Sequence, residues 1–330
     1  MDIEELVALS VKHNACDLHL CSGHSPFWRL SGRLEKMPGV LPASDALLRQ
    51  LYDSWLDAAQ QDEFTRAGQL DFALTVGGTR LRANLFCQRQ GNSLALRLIS
   101  DRCPDIAGLG LPPVAQSLLQ LEDGLVLVTG ATGSGKSTTL AALIGAINQQ
   151  QNRHILTLED PVEFIHRSER SLIQQREIGQ HCRSFSAGLR AALREDPDVI
   201  LLGELRDSET IQLALTAAET GHLVLATLHT RGAAQAVDRL VDVFPGAEKN
   251  LIRSQLAGSL KAAIAQKLVP GKNQGRVALF EVLVNTPAVA SLIREGKTHQ
   301  LPGVLQTGML AGMQTFAQSL AERQKAGAIA

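Results

Sequence analysis

The chain is short of the features that mark extracellular, membrane-spanning or nucleic-acid-binding proteins. Cysteine is scarce, with five in 330 residues, at positions 16, 21, 87, 103 and 182. An odd, unpatterned set gives no disulfide framework and fits reduced cytoplasmic thiols. Aromatic residues make up 4%, with one tyrosine and two tryptophans, so base-stacking platforms are missing. Thirty-two basic residues meet 33 acidic ones for a net charge of −1, which removes any global electrostatic case for nucleic acid. No apolar run approaches the ~18 residues of a membrane span, so a transmembrane segment is not expected and any membrane contact is peripheral. The start, Met1-Asp2-Ile3-Glu4-Glu5, is acidic where a secretory signal is basic. Repeats and low-complexity tracts are absent as well. What remains is the composition of a globular protein long enough for about two domains.

Those domains differ in pattern. Residues 3–13 read as an amphipathic helix, 17–21 and 26–34 as strands with a turn at Gly32, and 44–67 as one helix striped by Leu47, Leu48, Leu51, Trp55 and Leu56. Strands at 70–76, 80–88 and 93–99 follow, separated by Gly77-Gly78 and Gln90-Gly91-Asn92, both hairpin-like. Residues 1–100 are thus expected to form an α+β domain, with a Pro- and Gly-rich linker over 101–122, centred on 101–113. From 123 to 330 strands and helices alternate, the signature of an α/β parallel sheet. Strands are expected at 125–129, 155–159, 199–202 and 223–227, and helices at 136–149, 185–195, 208–220 and 232–243. Asp207 or Ser208 suits the N-cap of the third helix and Gly221 its C-cap. The part after 245 reads as mostly helical, broken by a strand near Arg276–Leu283.

Gly130-Ala131-Thr132-Gly133-Ser134-Gly135-Lys136-Ser137, with Thr138 after it, meets the pattern G-x-x-x-x-G-K-[ST]. An apolar run enters it and a helical stretch leaves it, the context a phosphate-binding loop needs. Glycines let backbone N–H groups turn onto phosphate oxygens, and the new helix aims its positive end at them. Lys136 can reach the β- and γ-phosphates and Ser137 can offer a hydroxyl to Mg²⁺, so ATP and Mg²⁺ are the expected ligand and cofactor. Two strands end in acid: Glu159 and Asp160, with Glu163 three residues on, and Glu204. In open parallel sheets both ends face the crevice that holds the ligand. Gly203 stands where many such enzymes place a metal-binding Asp, so Glu159 or Asp160 would serve the metal's outer shell through water, leaving Glu204 as general base. The competing reading of Glu204 is a solvated loop carboxylate. His229, after the strand at 223–227, can touch the γ-phosphate, or can simply bond nearby backbone; His222, at the far end of that strand, is the weaker candidate. Cys16, His19, Cys21 and His24 lack zinc-site spacing, since no C-x-x-C occurs. Arg80, Arg82, Arg89 and Arg97 lie on or beside two expected strands, either as a solvated face or as arginines aimed at a phosphate held by another domain or subunit.

Together these motifs resemble the secretion and type IV pilus ATPases, the GspE/PilT family, and among them the PilT-like retraction motors. The resemblance rests on Leu158-Glu159-Asp160-Pro161-Val162-Glu163, similar to the family's Asp box, and on Gly203-Glu204-Leu205-Arg206-Asp207, similar to its Walker B region. Thr216–Gly221 with Thr227-Leu228-His229-Thr230 matches the His box, and Gln175-Arg176-Glu177-Ile178 is a further family-like string. It implies a PAS-like N-terminal domain, a RecA-like ATPase domain with a helical C-terminal extension, a homo-hexameric ring, and a cytoplasmic location, peripheral at the inner membrane, on a pilus or secretion platform. It places Arg82 and Arg97 on family arginines that approach the phosphates from the N-terminal domain. The extra N-terminal domain and tetracysteine motif of assembly ATPases are missing. The retraction signature A-I-R-N-L-I-R-E is replaced by Ala288-Val289-Ala290-Ser291-Leu292-Ile293-Arg294-Glu295, a departure that leaves hydrolysis intact and bears on coupling to a pilus. The expected activity is ATP hydrolysis by a motor. A nucleotide-binding paralogue with little turnover is the alternative, and a DNA translocase a more distant one.

Overall fold

Two apolar patterns run through the chain, and each builds its own sheet. The computed structural model describes residues 2–30, 33–99, 105–272 and 275–329, and the chain divides into Met1–Arg102 and Cys103–Ala330. The turn expected at Gly32, Cys103 and the 101–104 part of the expected linker lie outside the described residues.

The first unit holds α1 (Ile3–Lys12), β1 (Asp17–Cys21), β2 (Phe27–Leu30), β3 (Arg33–Lys36), α2 (Asp45–Asp53), α3 (Ala58–Ala67), β4 (Gln69–Val76), β5 (Thr79–Gln88) and β6 (Gly91–Leu98). Every neighbouring pair is antiparallel, in the order β3-β2-β1-β6-β5-β4. Burial alternates along β5, where Leu81, Ala83 and Leu85 are inside and their neighbours are not, as a one-faced sheet requires. These residues share a core with Leu18, Leu20, Leu94 and Leu96 from the sheet and Leu48, Tyr52 and Phe64 from the helices. Gly77 and Gly78 both take positive φ, 54° and 82°, which matches hairpin twist in a two-residue turn. The single helix expected over 44–67 is two. Asp57 accepts from the Gln60 N–H while the Gln60 side chain accepts from the Asp57 N–H, and this capping box restarts the helix. The result is an α+β unit built on one antiparallel sheet.

The second unit opens with α4 (Ile106–Leu109) and α5 (Val114–Leu119), then runs β7 (Gly124–Thr129), α6 (Lys136–Gln150), β8 (His154–Glu159), β9 (Leu172–Glu177), α7 (Phe185–Ala192), β10 (Val199–Leu202), α8 (Ser208–Glu219), β11 (Leu223–Leu228), α9 (Ala233–Asp242), α10 (Lys249–Ser259), β12 (Leu260–Pro270), β13 (Arg276–Val284), α11 (Pro287–Arg294), α12 (Leu301–Thr307) and α13 (Phe316–Lys325). The strand order is β13-β12-β7-β11-β10-β8-β9, parallel throughout except for β12 with β13. Every residue of β7, β10 and β11 is buried, which is why these strands read as unbroken apolar runs. One face of the sheet packs on α7–α12 and the other on α4–α6. The Asp207 carboxylate caps α8 by accepting from the Thr210 N–H at 2.8 Å, and Gly221 follows the helix with φ 98°.

Three features depart from the expected plan. Residues 106–119 are not a bare linker, because Ile106, Ala115, Leu118 and Leu119 bury themselves in the core beside α6. Strand β9 was not expected; its polar sequence Leu-Ile-Gln-Gln-Arg-Glu suits an exposed sheet edge. The stretch after 245 carries, besides the strand expected near Arg276, the longer β12, whose Ala-rich sequence has no strand signature. Pairing on both sides, with β7 and β13, overrides that propensity. Among the described residues no helix is long and apolar enough to cross a membrane.

Candidate active site

Strand β7 delivers the glycine loop at the carboxyl edge of the sheet, and α6 starts where the loop ends. Gly130, Gly133 and Gly135 all take positive φ, at 152°, 77° and 91°, where side chains are disfavoured. A Cβ on Gly130 would collide with the backbone carbonyl of Gln266, and one on Gly135 would lie 2.8 Å from Gln266 Nε2. Ala131, Thr132 and Gly133 are exposed, Ser137 and Thr138 are half-buried in the first turn of α6, and Ser134 and Lys136 are buried. The unbonded N–H groups of that first turn face the loop's concavity. Ser134 Oγ is buried with no hydrogen-bond partner among the described residues, a polar group fitted to an added acceptor.

Three strand ends meet around Lys136. Its Nζ donates to the carbonyls of Gly130 at 3.0 Å and Ala131 at 3.2 Å and lies 3.4 Å from His229 Nδ1. On the other side of the ring, His229 Nε2 lies 3.0 Å from Glu204 Oε1. Lysine can only donate and a carboxylate can only accept, so an imidazole protonated on Nε2 alone satisfies both contacts. The second oxygen of Glu204 lies 2.7 Å from Arg206 Nη2. Burial pushes the Lys136 ammonium below its usual range, against the opposing pull of the Glu204 and Glu163 carboxylates. Burial also raises the Glu204 carboxyl, but the hydrogen bonds from Arg206 and His229 and the Arg206 charge outweigh it and hold the group below the ordinary range.

The frame around this chain is rigid. Thr129 Oγ1 accepts from the Thr230 N–H at 2.9 Å and lies 2.7 Å from Thr230 Oγ1, tying the start of the loop to the residue after His229. Thr227 Oγ1 donates to the Gly203 carbonyl beside Glu204. Gly203 itself sits close: a Cβ there would lie 3.3 Å from the Leu158 carbonyl and 3.4 Å from Glu159 Cα. Strand β10 thus approaches the end of β8 closely at the position where an aspartate is missing.

The second acidic end is built differently. Glu159 Oε1 accepts from Thr157 Oγ1 at 2.7 Å and Gln175 Nε2 at 3.2 Å. Deep burial pushes its carboxyl up, and these hydrogen bonds and one from the Glu163 N–H only partly oppose that. Gln175 also bonds the Phe164 carbonyl and the His166 N–H, and Glu177 accepts from the Val162 N–H at 3.1 Å. Strand β9 thus pins the 160–166 loop that carries Asp160 and Glu163. Asp160 is near enough to strengthen the charge on Arg206. Gln175 and Glu177 stand in a family-like string but carried no expected role, Arg206 likewise, and Gln266 had no signal because its strand had none. In the first unit Arg82 and Arg97 lie directly opposite one another on β5 and β6. Arg97 Nε is 3.0 Å from Asp17 Oδ1. His222 bonds the Ala217 carbonyl at 3.0 Å, at the other end of β11 from His229.

No three His, Cys, Asp or Glu side chains gather as metal ligands among the described residues. One hydroxyl, on Ser137 in the first turn of α6, fits Mg²⁺, which takes few protein ligands and keeps waters and phosphate oxygens for the rest.

A parallel sheet in this order, a glycine loop opening a helix, and an acid and a histidine at the two adjoining strand ends define a P-loop ATPase that binds ATP. The sequence model described as "Type II/IV secretion system protein" matches residues 65–322, and the chain belongs to that family. It is 64% identical over 324 residues to the uncharacterized protein YggR of Escherichia coli K12, covering 98% of each. It is 46% identical over 317 residues to the type IV pilus retraction ATPase PilT of Pseudomonas aeruginosa, covering 96% of this chain and 92% of that one. The crystal structure of the pilus retraction motor PilT with bound ADP matches with a TM-score of 0.92 at 40% identity, over 100% of this chain and 95% of that one.

Proposed function

We propose that this chain is the subunit of a hexameric, Mg-ATP-driven motor of the pilus-retraction kind, acting at the cytoplasmic face of an inner-membrane pilus or secretion platform. The observation that carries it is the continuous contact from Lys136 through His229 to Glu204 across the carboxyl edge of the sheet. Backbone N–H groups of Gly130–Thr138 and the Lys136 ammonium hold the phosphates. Ser137 would hold Mg²⁺, and Asp160 would serve its outer shell. Bound there, the ion would neutralise charge on the phosphate oxygens. Glu204 takes the proton of the attacking water, since each of its two oxygens has one partner and keeps a second lone pair free. His229 links that carboxylate to the phosphate end of Lys136 and reports an occupied γ-position. Glu159 and Glu163 shape the acidic loop around Asp160. In this reading Arg82 and Arg97 are the N-terminal unit's arginines for the phosphates, and movement of one unit against the other turns hydrolysis into force.

A regulatory paralogue with little turnover is the second reading, favoured by Ala290 and Ser291 in the stretch that resembles the retraction signature. That stretch is a well-formed helix: Thr286 caps it, Pro287 opens it, and Ser291 Oγ donates to Glu295 Oε1 at 2.8 Å. Steady-state ATP hydrolysis by the purified protein and by Glu204→Gln, with sedimentation of the same samples, separates the two. A motor turns over ATP, forms rings, and keeps rings while losing turnover in the variant. Equal inertness in both, with ATP bound, selects the regulator.

A further inference from the structure

Two glycines of the phosphate loop rest on one residue. Gln266 lies one position past the Ala265–Thr129 pair of β12 and β7, so it flanks Gly130 at the carboxyl edge of the sheet. Its carbonyl oxygen fills the space a Cβ on Gly130 would need, and its side-chain Nε2 fills that of Gly135. Its Oε1 accepts from Thr139 Oγ1 at 2.6 Å. Gln266 is 3% exposed and Thr139 fully buried. The amide oxygen faces Thr139 and the amide nitrogen faces the loop. One buried residue therefore meets both ends of the loop, Gly130 through its backbone carbonyl and Gly135 through its side chain, and the same side chain bonds the first turns of the helix that carries Lys136.

We infer that Gln266 is a positioning residue for the nucleotide phosphates. A loop of glycines at positive φ has little stiffness of its own. Its receptor groups are backbone N–H bonds, whose aim depends on where the loop's two ends are held. Gln266 fixes that separation without touching the reacting atoms. The inference rests on reading Gly130–Thr138 as the phosphate site.

The test uses the full chain and five variants: Gln266→Met, which keeps the shape and removes the acceptor, Thr139→Val, the double variant of these two, Thr139→Ser, and Lys136→Ala. ATP turnover, affinity for a fluorescent ADP analogue and thermal unfolding without nucleotide are measured for each. Gln266→Met and Thr139→Val are expected to raise KM and the ADP Kd roughly tenfold, with kcat changed by less than about threefold. The double variant is expected to be no worse than the worse single one, because both remove the same hydrogen bond. Thr139→Ser keeps the hydroxyl and is expected to bind as the parent does. A folded Gln266→Met with unchanged KM and Kd overturns the inference, even if its Tm falls, since that is packing alone. Should Gln266→Met fail to fold, the contrast between Thr139→Val and Thr139→Ser decides by the same readouts. ADP affinity that survives Lys136→Ala instead overturns the phosphate-site reading beneath it.

Discussion

Glu159 and Glu204 end neighbouring parallel strands of one sheet, and their surroundings give them opposite chemistry. Leu158 pairs with Leu202, so the two acids leave the sheet almost level. Glu159 turns toward β9, where only a hydroxyl, an amide and a backbone N–H meet it, and burial drives its carboxyl toward the protonated form. Glu204 stays 18% exposed between a guanidinium and an imidazole, and is held ionised. Two carboxylates in like positions are thus sorted by what faces them, as acid–base pairs in enzymes commonly are. The contrast supports the base role proposed for Glu204 and the scaffolding role proposed for Glu159.

The sharpest way to break that comparison is to neutralise each acid in turn. Glu204→Gln is expected to lower kcat by roughly 10² to 10⁴, the usual worth of a general base. Glu159→Gln keeps an oxygen that can accept from Thr157 and Gln175, and is expected to lose less than about tenfold. Steady-state hydrolysis on the two purified variants measures both. Equal, large losses would transfer the base role to Glu159. His229→Ala comes next, with an expected loss of about 10² in kcat. Its KM should change little, because Lys136 keeps its bonds to the Gly130 and Ala131 carbonyls. A loss confined to KM would make His229 a binding residue instead.

The same comparison shows how far the residues alone could be read. Lys136 is legible from the G-x-x-x-x-G-K-[ST] pattern, and Glu204 and His229 because each follows an unbroken apolar strand, and parallel strands bring their carboxyl ends together. Strands 199–202 and 223–228 read clearly since burial on both faces leaves no polar position. The opposite held at the sheet's flanks. The polar edge strand β9 and the Ala-rich β12 owe their form to pairing partners far away in sequence, which local pattern does not carry. Their site residues, Gln175, Glu177 and Gln266, were therefore hidden with them. The break in the 44–67 helix was written in Asp57 and Gln60, but an apolar stripe running through Trp55 and Leu56 masked it.

A smaller effect sharpens the Glu159 half. A carboxyl whose folded pKa is raised binds its proton more tightly when folded, so stability declines as pH rises from its unfolded pKa through the folded one. Glu159→Gln removes that decline. Its Tm is expected to exceed the parent's by roughly 2–4 °C at pH 7.5, with the gap closing toward pH 4. Thermal scans across that range measure it, and a gap that widens in acid would show Glu159 to be ionised and paired in the folded chain.

The smallest effect tests the Glu204 half through Arg206, whose side chain is 69% exposed. Removing it by Arg206→Ala takes away one of the two groups that hold Glu204 ionised, so the folded carboxyl rises toward its ordinary value. A base must be ionised to act, so the acidic limb of the kcat/KM profile should move to higher pH, by under about one unit because the pair faces solvent. The linkage runs in the same direction. A depressed carboxyl adds stability above its unfolded pKa and loses it as pH falls through the folded pKa, and the variant gives up part of that increment. Since the contact is exposed, salt should shrink the difference between parent and variant over the range where the Debye length falls from about 30 to 3 Å. Arg206→Lys should return the limb most of the way. A limb that stays in place at low salt in Arg206→Ala would mean that His229 alone sets the charge of Glu204, and would shift the contrast between the two acids onto a single imidazole.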